Sequence, residues 1–282
     1  MKKIILYLTL VLAVFAVNAQ ETVNDSTKVW KKQGNFILLF NQSAFNAEWL
    51  AGGTSSIAGN LGLNYDFNYK KEDIVWDSKI IVAYGLTKIK AAEKTAKTDD
   101  RFELNSLWGK KASGDWYYSA FLNLKTQMDV GFDKNAIDVS RFFSPSYLQL
   151  GPGMLWKKDA NLSINIAPAT ARLIFVNRKY TILGPSFGVR RGETSRFEFG
   201  ASTLIYYKLN LMANVSVENR LNLYSNYLDK PQNVDIDYQM NVVMRINRYL
   251  SANIALQTIY DDNAVKAVQV REVFGLGVNY GF

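Results

Sequence analysis

The 282 residues include 33 Lys and Arg against 25 Asp and Glu, 6 Trp, 16 Tyr and 16 Phe, and neither His nor Cys. Those two absences remove imidazole and thiolate metal sites, thiol nucleophiles, and every catalytic dyad or triad that uses His as its base. Disulfide staples are excluded too, so an exported chain of this kind must hold itself together by its core or by backbone hydrogen-bond closure.

Export is the first expectation in chain order. Met1-Lys2-Lys3 is basic, Ile4 to Val17 is almost uninterrupted apolar sequence, and Val17-Asn18-Ala19 offers small residues where a signal peptidase reads. Residues 1–19 therefore read as a cleaved signal peptide, the apolar run being shorter than the ~20 residues of a spanning helix. Loss of Lys2 and Lys3 lowers the formal charge from +8 to about +6. Residues 20–34 are a polar leader, and 35–282 form one domain.

Beyond Phe36 the hydrophobic pattern has period two. In 234–246, Val234, Ile236, Tyr238, Met240, Val242, Met244 and Ile246 share one face, and Asp235, Asp237, Gln239, Asn241, Val243 and Arg245 share the other. The same alternation runs through Ile57 to Tyr69 and returns less perfectly in four further segments. Twelve strands are predicted, at 36–45, 55–70, 75–88, 100–111, 115–129, 146–157, 160–168, 195–208, 214–228, 234–246, 251–261 and 268–282, with ten or fourteen as alternatives. Residues 180–189 are the main candidates for extra strands, and Ala91 to Lys97 for a short loop helix. Most of the segments are long for a soluble strand and match the roughly 10 residues that a tilted strand needs to cross a bilayer.

Short connections alternate with mostly longer ones, as in an up-and-down barrel whose short turns face the periplasm. Tyr65, Phe67, Tyr69, Trp76, Trp108, Trp116, Tyr117, Tyr118 and Trp156 cluster near the short turns, where an interfacial girdle belongs. The expected fold is thus all-β, an antiparallel up-and-down transmembrane β-barrel. A soluble sandwich using the same aromatics in its core is the competing reading. In hydrocarbon only a helix or a closed barrel leaves no backbone group unpaired, and a slightly negative mean hydropathy argues against spanning helices.

The closing strand, Phe274, Leu276, Val278, Tyr280 and terminal Phe282, resembles the C-terminal signal by which outer-membrane barrels are recognised for assembly. Trp49-Leu50-Ala51-Gly52-Gly53, Thr126-Gln127, Phe143-Ser144-Pro145, Phe187-Gly188-Val189, Tyr224-Ser225-Asn226-Tyr227 and Glu272 to Val278 together resemble the DUF3078 family of Bacteroidetes. The resemblance implies an outer-membrane β-barrel of no established activity and supplies no catalytic residues.

Candidate chemistry is sparse. Asp235 and Asp237 top one strand and Asp261 and Asp262 its hairpin neighbour, an oxygen-rich group of the kind that holds Ca²⁺. A solvated rim is the plainer reading, and no other cofactor is expected. Asp66, Lys79, Glu103, Lys125, Glu218, Arg220, Asp235, Arg245 and Arg271 fall on inward faces, either lining a narrow pore or pairing across a filled lumen. The expected location is the outer membrane of a Gram-negative bacterium. Membrane lipid, lipopolysaccharide and the barrel assembly machinery are the expected partners, and nucleic acid is not. The expected function is a passive channel for small solutes; the alternative is a non-conducting barrel whose long loops engage glycan, lipopolysaccharide or protein. An enzyme using carboxylates alone ranks last.

Overall fold

The computed structural model describes residues 29–45, 54–90, 92, 95–133 and 137–282. The signal peptide, residues 20–28 of the leader and the Trp49–Gly53 motif lie outside the described residues. The strands in chain order are β1 (Trp30–Ser43), β2 (Ser56–Lys71), β3 (Ile74–Ile89), β4 (Ala96–Ser113), β5 (Trp116–Thr126), β6 (Gly131–Phe132), β7 (Asp138–Ser140), β8 (Ser146–Lys157) and β9 (Leu162–Phe175). After the single-turn helix α1 (Arg178–Thr181) come β10 (Ser195–Met212), β11 (Val215–Asn226), β12 (Val234–Arg245), β13 (Leu250–Asp261) and β14 (Val265–Gly281). The small β6–β7 ribbon sits in a loop. The other twelve strands pair antiparallel, each with its chain neighbours, and β1 meets β14 to close a barrel.

Closure and surface chemistry together make this a membrane-spanning barrel. No helix among the described residues is long and apolar enough to cross a membrane; the strands do the crossing. Alternation sends Phe40, Leu61, Leu122, Ile166, Phe197 and Leu276 outward, all exposed, while the polar positions between them turn inward. An apolar exterior of this extent suits lipid, and the closed ladder leaves no row of unpaired amides facing it. At the short-turn end Trp30 packs 5.1 Å from Tyr69 and 6.1 Å from Trp76, and the Trp76 indole donates to Ser106 Oγ at 2.7 Å. At the loop end Phe143 meets Phe175 at 6.2 Å and Phe199 meets Tyr227 at 6.1 Å. These are two aromatic girdles, one at each interface.

Several boundaries differ from those read in the sequence. Strand β1 begins at Trp30, so residues 30–34 of the expected leader are strand: Lys31 and Gln33 face the lumen while Trp30 faces out. Ala96 and Lys97, expected in a loop helix, start β4, and Ala91, Glu93 and Lys94 lie outside the described residues. Residues 180–189 add no strand; they hold the end of α1 and an isolated bridge from Ser186 to Val189. Strand β9 runs to Phe175, because its ladder with β10 shifts register between Gly200 and Ser202 and the alternation resumes out of phase.

Closure is uneven. The β1–β14 ladder runs only from Asn35↔Gly281 to Phe40↔Leu276, whereas β2 and β3 pair from Ser56↔Ile89 to Lys71↔Ile74. Above Leu276, β14 has no β1 partner among the described residues. Where the two strands do meet they run close: a Cβ on Gly277 would lie 1.9 Å from the Leu38 carbonyl oxygen.

Candidate functional site: the lumen and its loop-end closure

Halfway along the lumen, charged side chains reach from wall to wall. Lys79 on β3 donates to Glu218 on β11 at 3.1 Å, and Arg101 on β4 donates to Gln239 on β12 at 2.8 Å. Each of these pairs joins strands six places apart in a ring of twelve, which are opposite walls. Lys125 on β5 holds Asp237 on β12 at 2.6 Å, and Gln257 donates to the same carboxylate at 2.8 Å. Arg220 lies 3.1 Å from Glu218, and the Tyr206 hydroxyl donates to Glu218 at 3.3 Å. Eight of the nine inward charges expected from the sequence stand in ion pairs; Arg245 has none among the described residues.

Nearer the loops lies a second layer, centred on Arg172. Its guanidinium is ion-paired to Asp235, stands 3.0 Å from Asp261 and 3.5 Å from Glu198, and lies between the rings of Tyr147 (5.3 Å) and Tyr224 (5.0 Å). Glu198, 1 % exposed, also faces Arg196 at 2.8 Å. A charge this deeply buried is tolerated because partners surround it.

The acidic residues picked out for a cation divide in two. Oxygens of Asp235, Asp261 and Asp262 lie within 4.8 Å of one another, but Arg172 holds Asp235 and Asp261, and Asn233 donates to Asp262 at 2.7 Å. Asp237 is not among them; it belongs to the mid-lumen layer with Lys125. Sequence reading misses Arg172 because the expected strand stops at residue 168. The available signal was Arg196 and Glu198 alternating with Phe197 and Phe199. The closing-strand residues Phe274, Leu276, Val278, Tyr280 and Phe282 all point outward, and Phe282 N–H donates to the Gly34 carbonyl at 3.0 Å.

Residues 176–194 connect β9 to β10 next to the Arg172 layer, and Arg196 bonds both the Gly188 carbonyl of this loop (3.1 Å) and Asn263 beyond β13 (3.3 Å). Ile174, Val176 and Val189 are buried together with Tyr147, Tyr180 and Phe187 packed against them. Thr181 Oγ1 donates to the Glu193 carbonyl at 2.7 Å, tying α1 to the loop's return. Asp138 in β7 joins this loop to the preceding one: it accepts from Lys179 at 2.6 Å, from Arg141 at 3.2 Å and from the Tyr180 hydroxyl. Those donors, Lys179 first, hold the Asp138 carboxyl down at about 2.

At the short-turn end the lumen stays open. Two cavities of about 540 and 810 Å³ lie there, sharing the Lys79–Glu218–Arg220 group as a common wall.

The motif order noted above now has its counterpart. Residues 40–132 match the family model DUF3078, described as a protein of unknown function. The DUF3078 match takes in β2 to β5, with the end of β1 and the start of the β6–β7 loop, so the motifs from Phe143 onward lie beyond it. No curated protein matches the chain. Among solved structures it is similar to an outer membrane channel from Pseudomonas putida F1 (9 % identity, TM-score 0.39, 93 % of this chain and 98 % of the other). It is also similar to the translocator domain of the autotransporter NalP from Neisseria meningitidis (9 %, TM-score 0.35, 92 % and 91 %). A third is the TodX monoaromatic hydrocarbon channel (8 %, TM-score 0.31, 82 % and 74 %).

Proposed function

We propose that this protein is an outer-membrane barrel whose lumen is closed at rest: a non-conducting barrel with a chamber open at the short-turn end, rather than an open pore for small solutes. The observation that carries this reading is the pairing of Lys79 with Glu218 and of Arg101 with Gln239 across opposite walls. We read side chains bonded across the full width as the barrier to a continuous aqueous path, with the Arg172 layer and loop 176–194 as a second barrier at the loop end. Each lumen carboxylate named above except Asp262, which Asn233 holds, sits on a Lys or Arg, which suits holding the walls together better than general-acid catalysis, so we assign no enzymatic role and no resident cation. Lipid surrounds the girdles, the long loops face lipopolysaccharide, and the outward closing strand is the part offered to the assembly machinery.

Planar-bilayer recording of the refolded, vesicle-reconstituted protein tests the reading. The wild type is expected to be silent, and Lys79→Ala/Arg101→Ala to give stepwise conductance. Steady stepwise conductance of the wild type would refute closure. The cavities on the short-turn side support a second reading, a channel gated by the same layer. That reading requires brief wild-type openings that Glu218→Gln makes more frequent.

A further inference from the structure

The 540 Å³ cavity has an apolar stretch among its polar lining, made by the inward side chains of Ile37, Leu39, Ile81, Ala83, Val243 and Val273. Leu39, Ile81 and Ala83 are no more than 9 % exposed. Gly62 stands opposite Ile37 in the β1–β2 ladder, and a Cβ there would meet Ile37 at an ordinary 3.6 Å, so its missing side chain is a hollow in the wall and not a forced contact. Ile37, Val243 and Val273 beside them are only half-buried and keep apolar surface open to the cavity. An apolar occupant would take that surface out of water.

The other end of the same cavity is cationic. Of its three carboxylates, Asp66 lies 3.7 Å from Lys79, Asp99 lies 2.7 Å from Arg271, and Glu218 lies 3.1 Å from both Lys79 and Arg220. Lys208, Arg245 and Arg248 line the cavity at the short-turn end and have no ion pair among the described residues; the Arg248 guanidinium lies 4.5 Å over the Tyr249 ring. Lys208 stands across the β10–β11 ladder from Glu218, which Lys79 and Arg220 also hold, so the three cations outnumber the carboxylates at this end. An apolar trough ending in surplus positive charge fits a ligand with a tail and an anionic head. Its volume falls in the roughly 300–1,000 Å³ of small-molecule sites.

We infer that this cavity binds a single-chain anionic amphiphile, its head at Lys208, Arg245 and Arg248 and its acyl chain along Ile37, Leu39, Ile81 and Ala83. The inference rests on the closed-lumen reading, because the mid-lumen layer is what makes a chamber of this space. Two routes lead to it: the open short-turn end, and the β1–β14 seam, whose ladder stops at Leu276 beside Leu39.

Titration with dansyl-undecanoic acid, a fluorescent fatty acid, tests the site on the barrel in lipid nanodiscs, with the methyl ester as neutral probe and heat-modifiable gel migration confirming the fold of each variant. The wild type should show saturable fluorescence enhancement with the acid and weaker binding of the ester. Lys208→Ala/Arg245→Ala should weaken the acid by about tenfold while leaving the ester unchanged, as expected for loss of hydrogen bonds to a charged group. Gly62→Leu, which fills the hollow, should weaken both probes. Absence of saturable binding by a folded wild type, equal binding of acid and ester, or wild-type affinity in folded Gly62→Leu would each overturn the inference. Saturation by probe supplied in water supports a site fed from the short-turn end. Saturation only from a probe-loaded bilayer, abolished by a Leu38→Cys/Val278→Cys cross-link between ladder partners in this Cys-free chain, supports a site fed through the seam. Conductance is a separate readout, so a wild type that conducts fails the closed-lumen reading, whereas a silent one that binds nothing fails only this inference.

Discussion

Arg172→Ala is the sharpest test of how the loop end is held shut. Arg172 has an 8 % exposed side chain, and Glu198, Asp261 and Asp235 beside it are 1 %, 10 % and 16 % exposed. Truncation leaves these carboxylates buried together with only Arg196 at hand. Removing one partner of a buried ion pair costs about 3–5 kcal/mol, because the remaining charge is stranded. Loss of the guanidinium between Tyr147 and Tyr224 adds roughly 0.5–2 kcal/mol for each cation–π contact. Urea titration in lipid vesicles, followed by the gel shift between folded and unfolded forms, should show a loss of at least about 3 kcal/mol. Restoring neutrality with Arg172→Met, Glu198→Gln, Asp235→Asn and Asp261→Asn together should recover most of it, since the penalty comes from stranded charge and not from lost volume. The single variant also frees Asp235 and Asp261, which lie within 4.8 Å of each other and of Asp262, so millimolar Ca²⁺ should stabilise Arg172→Ala and leave the wild type unchanged. A cost of Arg172→Ala below about 1 kcal/mol, the level of an exposed pair, would refute the account of this layer.

Face assignment predicts that Val242→Arg, on the outer row between Val217 and Ile254, costs roughly 2–4 kcal/mol and impairs insertion, while Asn241→Arg beside it folds normally in the same urea assay. The Asp138 tie predicts a pH effect on the two long loops. Its carboxyl is held below the ordinary 3.8, at about 2, so the tie is fully present above pH 4 and is lost as pH falls through 2. Protease nicking within 176–194 should therefore rise between those values in the wild type and be high at both in Asp138→Asn. The short β1–β14 ladder predicts that amides of 270–275 exchange with deuterium faster than those of 252–257 on the fully paired β13.

Much of this architecture is legible because alternation is a local property. Strand β8 is read from the sequence with the bounds it has in the structure, and Val234 to Arg245 show both faces without ambiguity. Legibility fails where the period breaks. At Pro168 to Thr170 the ladder slips by a residue, so Ala171, Arg172 and Leu173 resume the alternation in the opposite phase and look like loop. The partners across the lumen are illegible for a different reason. Lys125 and Asp237 are far apart in the chain, and only the closing of twelve strands into one ring decides which walls face each other. For the cation group, strand tops can be counted from sequence, which brings Asp235 and Asp261 together; that a guanidinium already stands between them cannot. The DUF3078 resemblance was visible in the motif order, and its matched span ends at residue 132, short of the Arg172 layer.

On the closed-lumen reading, loop 176–194 makes the molecule a cup inverted under its own lid. If the lumen is closed as proposed, toxins, phage or antibiotics arriving from outside would meet the lid, while whatever fills the vessel would come from beneath or from the surrounding lipid. On the closed-lumen reading such a barrel would store or hand over its contents and offer no thoroughfare.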